Sequence, residues 1–304
     1  MRSDGRNPIV KIAPSVRSLR TTLMLGIVHL CAGCGLLTSP IIDAKGPIAI
    51  AERDLMYDAV AVMLIVIIPV FILAFWFSWH YRASNKKARY DPTWSYSGPL
   101  DFVIWSVPVL IVIGLAILSW NNTHRLDPYK PLASSVPPLE VEAVAQDWKW
   151  LFIYPEQKIA VVNQLVFPSG TPLSLKITSD TVMNSFFIPT LGSQIFAMAG
   201  METRLHLLAD APGQFVGRNM QYSGAGFADQ RFEAIAMSQE DFDAWVAKVG
   251  QSSEELDADT YRALAKPTKG HPVTYYSAVE PDLFMKILAK YSRTQAPPDQ
   301  AAAD

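Results

Sequence analysis

AVAVMLIVIIPVFILAFWFSW, residues Ala59–Trp79, decides the architecture of this chain. These twenty-one residues carry no charge. At ~1.5 Å rise per residue they are long enough to cross the ~30 Å of bilayer hydrocarbon as one helix. Trp76 and Trp79 close the run at one end, where indoles favour the membrane interface. Pro69 removes one backbone donor and crowds the preceding turn, so a kink is expected there. A second apolar run, Phe102–Trp120, contains Pro108 and also ends on tryptophan. Between the two lies His80–Asp101, with Arg82, Lys86, Lys87 and Arg89 against two aspartates. The flank before the first run is acidic on balance, with Asp43, Glu52, Asp54 and Asp58 against Lys45 and Arg53. An excess of positive charge marks the cytoplasmic side, so residues 80–101 are expected inside and the long C-terminal portion outside.

Composition points the same way. Half of the 304 residues are hydrophobic, 18% are charged and the mean hydropathy is positive, a balance unusual for a soluble domain. A formal net charge of −2, with no basic run interleaved with aromatics, gives no footprint for a nucleic-acid partner. Both cysteines, Cys31 and Cys34, stand near the N-terminus. The remainder therefore holds no disulfide, no cysteine-based metal site, no thiol nucleophile and no Cys-x-x-Cys-His for covalent haem.

The first 33 residues read as a targeting segment. Five basic residues (Arg2, Arg6, Lys11, Arg17 and Arg20) precede the apolar run Leu23–Leu30, which is too short to span a bilayer. The run leads into Cys31-Ala32-Gly33-Cys34, which resembles a bacterial lipobox, although Cys31 stands where leucine is usual and His29 interrupts the apolar run. On this reading residues 1–33 are removed and Cys34 becomes the lipidated, palmitate-bearing N-terminus of a periplasmic segment, 34–58. An ordinary secretory signal with two chance cysteines is the alternative. A diacylglyceryl anchor would supplement the two spans, 59–79 and 102–120.

Past Asn121 the character changes. Residues 121–138 read as a linker punctuated by Pro128, Pro131, Pro137 and Pro138. Leu139, Val141 and Ala143 then alternate with Glu140 and Glu142, and Leu173, Leu175 and Ile177 with Ser174 and Lys176. Further short strands are expected around Leu205–Leu208 and Phe232–Met237, with turns at Pro168-Ser169-Gly170, Pro212-Gly213 and Ser223-Gly224. Many short strands over 139–238 predict a small β-sandwich or barrel. From 239 the pattern predicts helices at Glu240–Val249 and Asp259–Ala265, a short strand at Val273–Tyr276, and a last helix opening at Pro281 and running to about Tyr291. Residues 239–295 thus form a C-terminal helical extension, and 296–304 a tail expected to be disordered. The fold class is a membrane protein: a two-helix transmembrane hairpin plus an outer all-β domain with a C-terminal helical extension.

Several long segments agree in order and spacing with one family. They are YRASNKKARYDPTWSYS from Tyr81, QDWKWLFIYPEQKIA from Gln146, SDTVMNSFFIPTLGSQIFAMAGMETRLHLLA from Ser179, YSGAGF from Tyr222 and VEPDLF from Val279. Together they resemble subunit II of the cytochrome bo-type ubiquinol oxidases, within the haem–copper oxidase superfamily, over nearly the whole mature chain. The resemblance implies a cupredoxin-like, periplasmic outer domain and a multi-pass location in the bacterial inner membrane. It implies partner subunits I, III and IV besides membrane lipid, and ubiquinol as substrate, bound mainly by subunit I. Subunit I would hold a low-spin haem, a high-spin haem and one copper, while this chain binds no cofactor. The reaction implied is quinol oxidation coupled to reduction of oxygen to water, with proton translocation.

Within this family frame, QYSGAGFADQRFE, Gln221–Glu233, occupies the place of a copper-binding loop. In relatives that oxidise cytochrome c, the loop supplies Cys-x3-Cys-x3-His-x2-Met, and a histidine in an earlier H-S-aromatic-x-x-P-x-L-G segment completes a dinuclear copper centre. Those positions fall here on Tyr222, Gly226, Gln230, Glu233 and, in NSFFIPTLG, Asn184. None can replace bridging thiolates, imidazoles or a thioether, because such copper needs soft sulfur and nitrogen donors. Met183, Ser185, Pro189, Leu191, Gly192, Ser223 and Phe232 still match the frame. The expectation is a subunit without metal or electron-carrying role, which does not use cytochrome c.

Trp148 and Trp150 sit in a segment that lies near copper in those relatives; with the ligands gone, packing at a core or subunit interface is the expected role. Asp101 opens the second span at the point where the family carries a carboxylate, usually Glu, at the mouth of the K proton pathway. Proton uptake is one reading of it, and stabilisation of the first helical turn by a negative charge is the other. His80, His124, His206 and His271 show no metal-ligand spacing, and no nucleophilic triad, phosphate loop or dinucleotide fingerprint is present. Two other classes stay in view: a subunit that docks an electron carrier, and a membrane-anchored cupredoxin-like scaffold or copper-delivery lipoprotein. For the last, Met198 and Met201 offer only a sparse thioether pair.

Overall fold

The computed structural model describes residues 39–89 and 91–292, so Cys31, Cys34 and the tail 296–304 lie outside the described part. Residues up to Asp43 cluster separately from Ala44 onward. The described piece of the first unit, 39–43, is a turn in which the Ile42 and Asp43 amides donate to Ser39 O.

The second unit begins with two long helices, α1 (Pro47–His80) and α2 (Gly98–Arg125). Each has proline in its first turn, where the missing N–H costs nothing. Each also carries one internal proline, Pro69 or Pro108. Both are long and apolar enough to cross a membrane, and none of the most apolar stretch of either is buried within the chain. Apolar side chains facing outward all round need lipid or another protein for cover. Helix α1 extends beyond the apolar run, and residues 47–58 form an overhang that meets the outer domain. There the Glu52 carboxylate accepts from Ser193 N at 3.1 and 3.2 Å and from Ser193 Oγ at 2.8 Å. Gly192 makes the approach possible: at φ +107° it holds a conformation that side chains disfavour, and a Cβ there would stand 2.7 Å from Ile48 Cγ2.

The outer domain is a two-sheet sandwich. Its strands are β1 (Leu139–Gln146), β2 (Lys149–Tyr154), β3 (Ile159–Val162), β4 (Gln164–Pro168), β5 (Leu173–Ser179) and β6 (Asn184–Ile188). They continue with β7 (Gly192–Ala197), β8 (Thr203–Leu207), β9 (Gly213–Arg218), β10 (Arg231–Met237) and β11 (Thr274–Tyr276). One sheet runs β11-β3-β2-β1-β5-β8 and the other β4-β10-β9-β6-β7. The β1–β5 and β10–β4 pairs are parallel, as expected of crossed connections, while neighbours such as β1–β2 are antiparallel. Between the sheets Trp150, Phe152, Phe186 and Phe232 pack edge-on and stacked, with ring centroids 5.0–6.4 Å apart. Tyr154, fully buried, accepts from Val166 N at 2.8 Å and donates to Val166 O at 2.9 Å, tying β2 to β4.

The C-terminal extension explains why β2 and β3 lack alternation. Helix α3 (Gln239–Val249), capped by Ser238 Oγ accepting from Asp241 N, lays Phe242 and Trp245 against Tyr154. Helix α4 (Ala258–Leu264), capped by Asp257, and α5 (Leu283–Ser292) then cover the outer face of the six-stranded sheet. Leu256, Leu264, Tyr276, Leu283, Phe284 and Ile287 bury Val144, Leu151, Ile153, Ala160 and Val162 from that side. Every residue of β2 and β3 is therefore buried.

One carboxylate anchors the extension. Asp180, with a side chain 2% exposed, accepts from Tyr261 Oη at 2.7 Å and pairs with Lys290 Nζ at 2.7 Å. Its backbone oxygen accepts from Tyr291 Oη at 2.8 Å. Burial first, and then the Asp180 charge, push the Tyr261 hydroxyl well above its ordinary value, so it stays a donor. Burial would lower the Lys290 ammonium, but the hydrogen bond and charge of Asp180 outweigh it and the net shift is upward. Asp180→Ala is expected to cost about 2 kcal/mol, chiefly by orphaning the buried Tyr261 hydroxyl. Hydrogen exchange should then speed up in residues 256–292 before the sandwich core; unchanged protection there would contradict the anchoring role.

Candidate functional site

The segment between β9 and β10 folds over the end of the sandwich and meets β6. At its centre is Asn219, 4% exposed, a residue outside the five positions singled out from sequence. Asn219 Oδ1 accepts from Ser185 N at 2.8 Å and Gln221 N at 2.9 Å. Its Nδ2 donates to Asn184 Oδ1 at 2.7 Å and Gln230 Oε1 at 2.9 Å, with Ser223 Oγ at 3.2 Å. Ser223 Oγ also donates to Gln230 Oε1 at 2.9 Å, and Gln230 Nε2 reaches Gln146 O at 3.3 Å. Asn184 Nδ2 donates to Val182 O at 2.8 Å, and Ser185 Oγ accepts from Met220 N at 2.8 Å. Asn184 and Gln230 are 0% and 1% exposed, so three carboxamides satisfy one another in a dry setting where an unpaired polar atom would be costly.

Gly226 lies beneath Trp148. A Cβ on Gly226 would stand 2.3 Å from Trp148 Cδ2, so any side chain at this position collides with the indole. Trp148 is held there by a bond from its Nε1–H to Ser223 O at 3.0 Å, and by its own left-handed backbone at φ 65°. Trp150 points the other way, fully buried among Phe186 and Phe232. Tyr222 is 74% exposed and rests against Phe227. Glu233 is also exposed; it lies on β10, where Gln164 Nε2 donates to it at 3.3 Å. Of the five positions singled out from the sequence, then, Asn184 and Gln230 are brought together through Asn219, Gly226 lies under Trp148, and Tyr222 and Glu233 are exposed.

The extension closes this end of the domain as well. Lys149, completely buried, donates through Nζ to Lys266 O at 2.8 Å, and Asn163 Nδ2 donates to His271 O at 2.7 Å. Burial holds the Lys149 ammonium below its ordinary value, Asp147 opposing the shift. Burial, and then the Lys149 charge, hold His271 low too. Chemically the site offers amide and hydroxyl oxygens and an indole face. Such donors suit neither dinuclear nor mononuclear redox copper, and among the described residues no three or more His, Cys, Asp or Glu are grouped so as to hold a metal ion.

Asp101 lies far along the chain, in the first turn of α2, its amide donating to Ser97 O at 2.9 Å. It is part-exposed, on the loop side of the hairpin. Sequence reasoning missed Asn219 and Asp180. Neither falls on a family ligand position or in a periodic pattern, and the only hint was that each is a polar residue at a strand end, where side chains commonly satisfy backbone groups.

Two family profiles match the chain: the one described as "Cytochrome C oxidase subunit II, periplasmic domain" over residues 154–231, and "COX Aromatic Rich Motif" over residues 251–295, the extension. Cytochrome bo(3) ubiquinol oxidase subunit 2 of Pseudomonas putida is 53% identical over 251 residues, 83% of this chain and 80% of that one. Ubiquinol oxidase subunit 2 of Acetobacter aceti is 51% identical over 265 residues, 86% and 85% of the two chains. The Pseudomonas aeruginosa counterpart is 49% identical over 274 residues, 90% and 80%. With an apolar helical hairpin, a two-sheet outer domain matching the subunit II profile, and relatives of this similarity over most of their length, this chain belongs to the ubiquinol oxidase subunit 2 family.

Proposed function

We propose that this chain is the copper-free subunit II of a terminal ubiquinol oxidase. The carrying observation is the Asn184–Asn219–Gln230 carboxamide network, together with Trp148 seated on Gly226, in the place where a cytochrome-c-oxidising subunit needs thiolates and imidazoles. A site built of mutually satisfied amides has structural work and no electron to carry. Quinol oxidation and oxygen reduction then fall to haems and copper in subunit I. This chain contributes two helices for subunit I to pack on and a rigid cap over the outer face, with subunits III and IV completing the complex. The exposed apolar surfaces of α1 and α2 support that packing role.

The basic segment between α1 and α2 supports a cytoplasmic loop and, with it, a periplasmic cupredoxin-like domain on an inner-membrane protein. Cys34, preceded by small residues and a short apolar run, is the proposed lipidation site. Asp101, at the cytoplasmic end of α2, is the proposed proton-uptake carboxylate of a proton-translocating complex.

Oxygen consumption by the purified complex tests the main reading: turnover is expected with ubiquinol and not with reduced cytochrome c, and rapid oxidation of cytochrome c would overturn it. Asp101→Asn should slow ubiquinol turnover several-fold at normal haem content. Equal turnover would leave the carboxylate with only its helix-terminus role.

A further inference from the structure

We propose that the recess where α2 runs into the linker binds the phosphodiester headgroup of an anionic phospholipid in the outer leaflet. The recess is a cavity of about 180 Å³ lined by Arg125, Lys130 and His206, with Ile48 and Leu132 supplying apolar walls. It continues past Leu132 and His206 into a second, proline-rich recess. Neither Arg125 nor Lys130 has a side-chain partner among the described residues.

Height in the membrane selects the ligand. Arg125 lies five residues beyond Trp120, which ends the apolar run. At ~1.5 Å per residue that is about 7 Å above the hydrocarbon. The polar layer of one leaflet is about 5–7 Å deep, so the guanidinium stands level with the lipid phosphates. One carboxylate, Asp127, lines the recess beside the two cations, and Glu52 lies behind the Ser193 wall. Asp127 Oδ1 accepts from Tyr129 N at 3.0 Å, and Glu52 takes both hydrogens of Ser193. Burial, and then the Arg204 charge, keep His206 below its ordinary value, which leaves it a neutral donor at neutral pH. Two cations against one carboxylate leave the lining net positive, and with its apolar walls the small cavity matches a phosphate that carries acyl chains. A bidentate guanidinium contact and an ammonium contact are the usual means of holding one.

The test uses the complex in phosphatidylcholine nanodiscs doped with either phosphatidylglycerol or phosphatidylcholine bearing a diazirine next to the phosphate. After illumination, the labelled peptides are mapped by mass spectrometry. Phosphatidylglycerol should label residues 125–133 in excess over phosphatidylcholine. Each of Arg125→Gln and Lys130→Gln should cut that excess about fivefold, the factor that corresponds to about 1 kcal/mol per basic residue at an anionic surface. The conservative pair Arg125→Lys with Lys130→Arg should restore most of it, and unchanged haem content certifies assembly of each variant. Equal labelling by the two lipids, or an excess that survives the double Gln variant, overturns the proposal. Loss of labelling on adding inorganic phosphate, but not potassium chloride of equal ionic strength, overturns the lipid assignment in favour of a free-anion site.

Discussion

A sheet buried on both faces has no solvent side, and that constraint organises this outer domain. Strands β2 and β3 lie between the second sheet and the C-terminal extension, so their side chains are chiefly apolar, and a polar group among them needs a partner to offset its burial. Lys149 and Tyr154 find such partners in the Lys266 carbonyl and the Val166 backbone, whereas the Trp150 Nε1–H is buried without one among the described residues, a cost set against the large area its ring buries. The dependence runs in both directions. Without the extension, Leu151, Ile153 and Val162 would form an exposed apolar face; without that face, α4 and α5 would be short amphipathic helices too small to persist alone. Asp180 sets the register between the two layers through its contacts with Tyr261, Lys290 and Tyr291.

The same economy governs the loop end. A metal centre contributes folding energy by joining distant loops through its ligands. Here Asn219 joins β6 to the loop before β10 with hydrogen bonds of 2.7–2.9 Å, and Trp148 fills the space over Gly226. The cupredoxin-like scaffold closes this end by ordinary polar and aromatic packing, which does the joining that ligands do in a metal centre.

The spans were legible because twenty uncharged residues have few other uses, and β1 and β5 because their outer residues, Glu140, Glu142, Ser174 and Lys176, alternate with the core. KWLFIY and IAVV hid their period, since alternation disappears when both sides are covered. Helices α1 and α2 outrun their apolar cores for a similar reason: residues 47–58 carry charge yet stay helical, docked through Glu52 on β7. At the site, the five ligand positions could be found by comparison with a family. What replaces the ligands could not, because Asn219 acquires its meaning from Ser185 and Asn184, some thirty-five residues away in the chain.

The overhang of α1 has a mechanical side. A helix that leaves the bilayer without a break and is bolted to β7 through Glu52, Ser193 and Gly192 behaves as a lever with its fulcrum at the membrane surface. Helices answer a change in bilayer thickness by tilting, and with an arm of about 18 Å a tilt of roughly 10° shifts the far end by about 3 Å. The sandwich must travel with that end. The thickness of the membrane thereby becomes one of the coordinates that set where the periplasmic cap sits.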